Sequence, residues 1–208
     1  DLKNYPRNLK KDIMILKKLK VDYVLLPKLN EIYKSKKDKK INFKKKDKIM
    51  CAQFRPGHFE GVLAVINQFL KNIKVSYLFL GEKDYQQFFL INKLIRNKFD
   101  IKILLCKTIR DNNKVALSSR NILLGKKDLY KSSFIAKLLL KLKKYPKNIF
   151  TLKNEIRKIK VKINNLKNVK IEYLEIRNKN NLSKRYTLKN FKIFLAYYIK
   201  NVRLIDNY

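Results

Sequence analysis

The stretch Val75-Ser76-Tyr77-Leu78-Phe79-Leu80-Gly81-Glu82-Lys83-Asp84-Tyr85-Gln86-Gln87 holds a strand, a turn and the start of a helix in thirteen residues. Residues 75–80 are mostly β-branched, aromatic or aliphatic, and Gly81 ends the run, as expected of a short core strand. From Asp84 to Phe99 apolar residues recur at helical spacing, and Ile101-Lys102-Ile103-Leu104-Leu105 reads as a second strand. Upstream, residues 58–73 carry Phe59, Val62, Leu63, Val65, Ile66, Phe69 and Leu70, the broad apolar face of a helix laid against a sheet. Further upstream, Leu9, Ile13, Leu16 and Leu19 stand between lysines in an amphipathic helical pattern, and residues 21–26 (Val-Asp-Tyr-Val-Leu-Leu) read as a buried strand closed by Pro27. Three helix–strand alternations predict an α/β unit of parallel strands joined by right-handed crossovers, with ligands at the carboxyl ends. After about Thr108 the pattern changes. Two helices near residues 127–144 and 148–164 precede three strands near 169–177, 191–198 and 202–205, which predicts a smaller α+β unit. The division is expected between Thr108 and Arg120, giving units 1–110 and 111–208.

Charge is the other conspicuous property. The 208 residues carry 52 Lys and Arg against 16 Asp and Glu, a formal charge of +36. Nine of the cations are Arg and 43 are Lys. Phosphate-reading surfaces favour the bidentate Arg fork, whereas Lys, Asn and Ile are what AT-rich codons supply, so codon bias is read as the larger cause. Residues 34–48 hold the densest run of lysines; a solvated loop and a nucleic-acid arm are the competing readings. A hydrophobic content of 46% excludes wholesale disorder. No apolar run approaches the roughly 20 residues of a membrane span, and no signal peptide opens the chain. Two isolated cysteines, Cys51 and Cys106, have no metal-ligand spacing and read as buried thiols in a reducing, cytoplasmic compartment.

The chain has only four glycines, and three of them mark short motifs. Arg55-Pro56-Gly57-His58-Phe59-Glu60-Gly61 holds two. Gly81 opens the third, at a strand end where a missing Cβ lets backbone approach a ligand and where the next helix offers free N–H groups. Lys83 could reach phosphate oxygens, Asp84 could accept from ribose hydroxyls, and Gln87, one turn beyond Lys83, could donate to a carboxylate. A plain strand-to-helix turn with Asp84 as cap is the alternative. Leu117-Ser118-Ser119-Arg120-Asn121 places two hydroxyls beside an Arg, suited to triphosphate oxygens or to an ordinary helix cap.

These motifs, in this order, closely resemble the pantoate–beta-alanine ligase (pantothenate synthetase) family. The resemblance also takes in Tyr5-Pro6-Arg7, Thr108-Ile109-Arg110 and Val202-Arg203-Leu204-Ile205-Asp206-Asn207, and so spans nearly the whole chain. It implies a Rossmann-like parallel sheet with helices on both faces plus a smaller carboxyl-terminal α+β domain, in an ATP-dependent ligase of the HIGH-motif nucleotidyltransferase superfamily. Pantoate would attack the α-phosphate of ATP, and β-alanine would displace AMP from the resulting pantoyl adenylate. By motif position, Gly81, Glu82, Lys83, Asp84, Ile109, Leu117, Ser118, Ser119 and Arg120 are implied in ATP binding, with Lys83 and Arg120 on phosphate charge. Gln87 is implied in pantoate binding, and Arg55 and His58 are expected to support the site wall. Mg²⁺ would accompany ATP with no protein ligand assigned; Asp12, on the first helix, is a candidate to support it. A homodimer is implied, without a specific nucleic acid or membrane partner.

The family's HIGH-type segment, with its proton-donor histidine and first strand–helix unit, is expected upstream of Asp1. The 208 residues alone are therefore expected to be inactive, as a shortened version of the enzyme or a decayed, noncatalytic remnant. The intact later motifs favour the former. A lysine-rich nucleic-acid-binding protein is the alternative from another class.

Overall fold

The computed structural model describes residues 6, 8–33, 41, 44–144 and 148–208. Helix α1 (Leu9–Lys18) starts where Asn8 Oδ1 accepts from the Lys11 amide at 3.0 Å. A single turn, α2 (Leu29–Ile32), follows, then α3 (Cys51–Phe54) and α4 (His58–Asn72). Between the last two, Gly57 sits at φ +79°, the left-handed region that a side chain resists. Strand β1 (Tyr77–Gly81), α5 (Tyr85–Leu94) and β2 (Lys102–Cys106) complete a parallel unit in which Tyr77 pairs with Lys102 and Gly81 with Cys106.

The second half is α6 (Lys126–Lys144) and α7 (Ile149–Asn164), then an antiparallel sheet of β3 (Val169–Asn178), β4 (Phe191–Ile199) and β5 (Val202–Asn207), in that spatial order. Asn148 caps α7, its Oδ1 accepting from the Thr151 amide at 2.8 Å.

Two cores meet on β4. Its Ile193, Leu195 and Ile199 pack with Ile135 and Leu139 of α6 and with Leu152 and Ile163 of α7. From the opposite face, Phe194 and Ala196 pack with Phe59 and Leu63 of α4 and with Leu90 and Ile91 of α5. Strand β4 is thus buried on both sides, and its near-continuous apolar sequence, Phe-Lys-Ile-Phe-Leu-Ala-Tyr-Tyr-Ile, reflects that position.

Two expectations are corrected. Residues 21–26 form no strand; Val21, Tyr23, Val24, Leu25 and Leu26 are exposed, Tyr23 at 92%. Apolar content expresses a tendency to be covered, but a strand exists only as a hydrogen-bonded ladder, and among the described residues nothing pairs with this segment. The parallel sheet accordingly has two described strands rather than three. Cys51 is buried as expected, whereas Cys106 is exposed. The two-residue period of β2 puts Lys102, Leu104 and Cys106 on the outer face and turns Ile103 and Leu105 inward.

Candidate functional site

At the carboxyl end of β1 the chain makes a tight helical turn, Glu82–Asp84, before α5. That turn is tied to the end of β5. Asn207 Nδ2 donates to the Glu82 carbonyl at 2.7 Å and to the Lys83 carbonyl at 2.9 Å. Glu82 itself faces protein: Oε1 accepts from Lys192 Nζ at 2.8 Å and Oε2 from the Thr108 amide at 3.4 Å. Burial pushes the Glu82 carboxyl up, but the Lys192 hydrogen bond and charge outweigh it, and the net effect holds the group below its ordinary range. Fixing both ends of the turn leaves Lys83 and Asp84 to point from a rigid base. Asp84 precedes α5 but makes no side-chain cap hydrogen bond.

The serine segment is also anchored to β5. Arg110 grips Asp206 with two parallel hydrogen bonds, Nη1 to Oδ2 at 2.7 Å and Nη2 to Oδ1 at 2.9 Å, and reaches the Asn207 carbonyl at 3.2 Å. Its plane lies over the Tyr208 ring, 4.8 Å from the centroid. The loop beyond closes on itself: Asp111 Oδ1 accepts from the Val115 amide, Ile109 O from the Leu117 amide, and Asn121 Nδ2 donates to Ala116 O. Ser118 then caps the helical turn Ser119–Leu123, accepting from the Arg120 amide at 3.3 Å. The capping arrangement weighed from sequence is therefore real, and it orients Arg120.

His58 opens α4, and its Nε2 lies 2.8 Å from Arg55 Nη1. Since guanidinium can only donate, Nε2 accepts and the imidazole is the neutral Nδ1–H tautomer. Burial, then the charges of Arg55 and Arg203, lower its pKa to about 4 against a partial pull from Asp84.

The three motifs converge on adjoining clefts. One is lined by Arg55, His58, Lys83, Asp84 and Gln87, with Cys51 and Asp206 at its wall. A narrow neighbour joins Lys83 to Ser118 and Asn121. A broader cleft of about 360 Å³ joins Arg55 to Arg120 and Arg203. Lys83 lines the first two of these clefts and Arg55 the first and third, so the clefts share walls. Ile109 is 67% exposed at the loop, open to a flat ring. Asp12 sits on the exposed α1 and lines none of these clefts. Tyr5, Arg7 and most of the 34–48 lysine run lie outside the described residues.

Sequence reasoning missed the network beneath the site. Cys51 Sγ shares a hydrogen bond with the Tyr173 hydroxyl at 3.0 Å and accepts from Arg203 Nη2 at 3.4 Å, while Arg203 also pairs with Glu172. The sequence offered only a partial hint, Arg203 as a charged residue within the strand run of β5; its burial, which demands partners, appears only in the fold.

The family model described as Pantoate-beta-alanine ligase matches residues 1–208. The chain is 32% identical over 213 residues to pantothenate synthetase of Thermosipho africanus and 35% identical over 210 residues to that of Campylobacter hominis, covering all of this chain and 75% and 76% of the relatives. Among solved structures, pantothenate synthetase of Thermus thermophilus shares the fold at TM-score 0.86 and 24% identity, over 99% of this chain and 75% of that one. Pantoate-beta-alanine ligase of Francisella tularensis, complexed with beta-gamma ATP and beta-alanine, aligns at TM-score 0.79 and 34% identity over all of this chain and 72% of its own. The chain belongs to the pantoate-beta-alanine ligase family.

Proposed function

We propose that this chain carries ATP- and pantoate-binding machinery of a ligase that condenses (R)-pantoate with β-alanine by way of a pantoyl adenylate. The observation that carries this reading is the meeting of Lys83, Gln87, Ser118 and Arg120 around adjoining clefts, from motifs well separated in sequence. A pantoate carboxylate oxygen bonds to the α-phosphorus of ATP as the α–β anhydride bond breaks, and pyrophosphate leaves. The β-alanine amine, as free base, then bonds to the acyl carbon; the acyl–oxygen bond breaks, AMP departs and the amine proton passes to solvent.

Little of this requires a protein nucleophile. Catalysis rests on alignment and on offsetting phosphate charge. Lys83 and Arg120 supply cations, Ser118 and Ser119 hydroxyl donors, Gly81 close backbone approach, and Ile109 with Leu117 an apolar surface for adenine. Gln87 holds the pantoate carboxylate without introducing a charge that competes for phosphate. Glu82, its carboxylate held by Lys192, lines the nucleotide site beside Gly81. Magnesium fits this donor set as a companion of the triphosphate: no group of three or more metal-binding side chains occurs among the described residues, and Asp84 is an exposed carboxylate beside Lys83, in keeping with an ion that takes one carboxylate, phosphate oxygens and water. Bound there, it would neutralise phosphate charge.

Residues 1–110 then supply the nucleotide and pantoate floor, and 111–208 the serine loop and its support. The likeness to the Francisella tularensis protein, complexed with beta-gamma ATP and beta-alanine, supports the same ligands here. The test is AMP release by the natural gene product given ATP, pantoate and β-alanine. Absence of pantoate-dependent AMP release sinks the proposal.

A further inference from the structure

The last two residues of β5, Asp206 and Asn207, are both buried, Asn207 to 4% exposure. Asp206 takes both arms of the Arg110 fork and accepts from the Asn207 amide at 2.8 Å. Arg110 also donates to the Asn207 carbonyl, so the backbone that bears the Asn207 side chain is held from both sides. A carboxamide nitrogen has two protons to give, and those of Asn207 go to the Glu82 and Lys83 carbonyls. Neither remains for a ligand, although Asn207 stands in the wall of the first cleft. Its Oδ1 is buried without a hydrogen-bond partner among the described residues. An orphaned acceptor is destabilising, and an apolar side chain of the same size would avoid it, so the two donors are what this asparagine adds.

We propose that Asn207 is a positioning residue for ATP, acting through the backbone of Lys83 and touching no substrate itself. The inference rests on the ligase reading, in which Lys83 meets phosphate, and adds what aims that lysine. Glu82–Asp84 is a single helical turn, and its carbonyl oxygens are partial negative charges beside a site for a polyanion. Asn207 draws two of them toward β5 and offsets their charge. The Lys83 ammonium ends a flexible four-carbon stem; pinning the carbonyl of the same residue fixes where the stem begins, with Nζ in reach of both clefts that Lys83 lines. A displacement of about 1 Å at a positioned group costs up to about a hundredfold in rate, so small backbone freedom here has a large effect. Because the adjacent Asp206 grips Arg110 at the start of the serine segment, two consecutive residues of β5 set the distance between Lys83 and that segment.

A double-mutant cycle read by calorimetric titration of ATP into the natural gene product tests this. Asn207→Leu keeps the volume and removes both donors; it should weaken ATP roughly tenfold or more, as Lys83→Ala does alone. The double variant should bind ATP within about twofold of Lys83→Ala, because Asn207 has nothing to aim once the ammonium is gone. A merely structural role would instead add its loss to that of Lys83→Ala. Where Asn207→Leu does not fold, Asn207→Asp, matched in shape and also without amide protons, takes its place in the cycle. ATP binding unmoved in a folded Asn207 variant, or losses that add in the double variant, overturns the inference. AMP release by the wild type separates the two readings. Unmoved ATP binding in the variant beside pantoate-dependent AMP release in the wild type ends this inference and spares the ligase assignment, whereas coupled ATP losses without that release support the inference and sink the assignment.

Discussion

The chain contains one histidine, so acid titration interrogates a single imidazole. His58 has its pKa lowered to about 4 by burial and by the Arg55 and Arg203 charges, whereas an unfolded histidine titrates near 6.5. Between those values the unfolded chain binds a proton that the folded chain refuses, so stability rises with pH across the window. The contribution is fully present above about pH 6.5 and is lost as pH falls toward 4. Two and a half pH decades at about 1.4 kcal/mol each give about 3.5 kcal/mol, and partial solvent access discounts this to about 1–2 kcal/mol. Urea unfolding of the wild type and His58→Gln at pH 7, 6, 5 and 4 would show the wild type losing stability faster by most of that amount, with about half of it reached by pH 5. The single Hε1 proton resonance gives the pKa directly. An imidazole titrating near 6.5 in the folded protein, or equal pH slopes for both proteins, refutes the argument that Arg55 holds Nε2 unprotonated.

Other consequences are open to simple tests. Asp206→Ala leaves the Arg110 fork half-buried and unpaired, and chemical denaturation should show a loss of about 3 kcal/mol; in a double-mutant cycle with Arg110→Ala the losses should be clearly non-additive. Gly57→Ala meets no atom within 4 Å, so its cost is the left-handed backbone alone, about 1–2 kcal/mol in the same assay. Lys83→Ala should weaken ATP at least tenfold, about 1.4 kcal/mol, with its urea midpoint unmoved, and a shifted midpoint would mean that Lys83 supports the fold instead.

Much of the architecture was legible because local composition and burial agree. The run ending at Gly81 is strand-like in every residue, and the helical spacing of residues 58–73 announced α4. Residues 21–26 misled because the same apolar letters serve a paired strand and an extended segment; pairing is non-local. At the site, the glycine-marked motifs were visible as local punctuation. The Cys51–Tyr173–Arg203–Glu172 network was not, since its members come from α3, β3 and β5 and no spacing rule joins them. Likewise, the pairing of the Glu82 oxygens with Lys192 and Thr108 was not legible, because only tertiary packing selects those partners.

Strand β4 has no solvent face, and this shapes how the molecule can fail. The helices α6 and α7 stand on one side and the elements that carry His58 and the α5 turn on the other, so neither layer can loosen without stripping cover from the same backbone. Local opening, which in many enzymes concentrates around the ligand-binding region, is here tethered to the most deeply placed ladder in the chain. A lesion at Leu195 or Ile193, on the face turned toward α6 and α7 and away from the cleft-lining Phe194, would therefore register as lost ligand binding before it registered as lost helix, and a bound ligand would in turn protect the α6–α7 layer against unfolding.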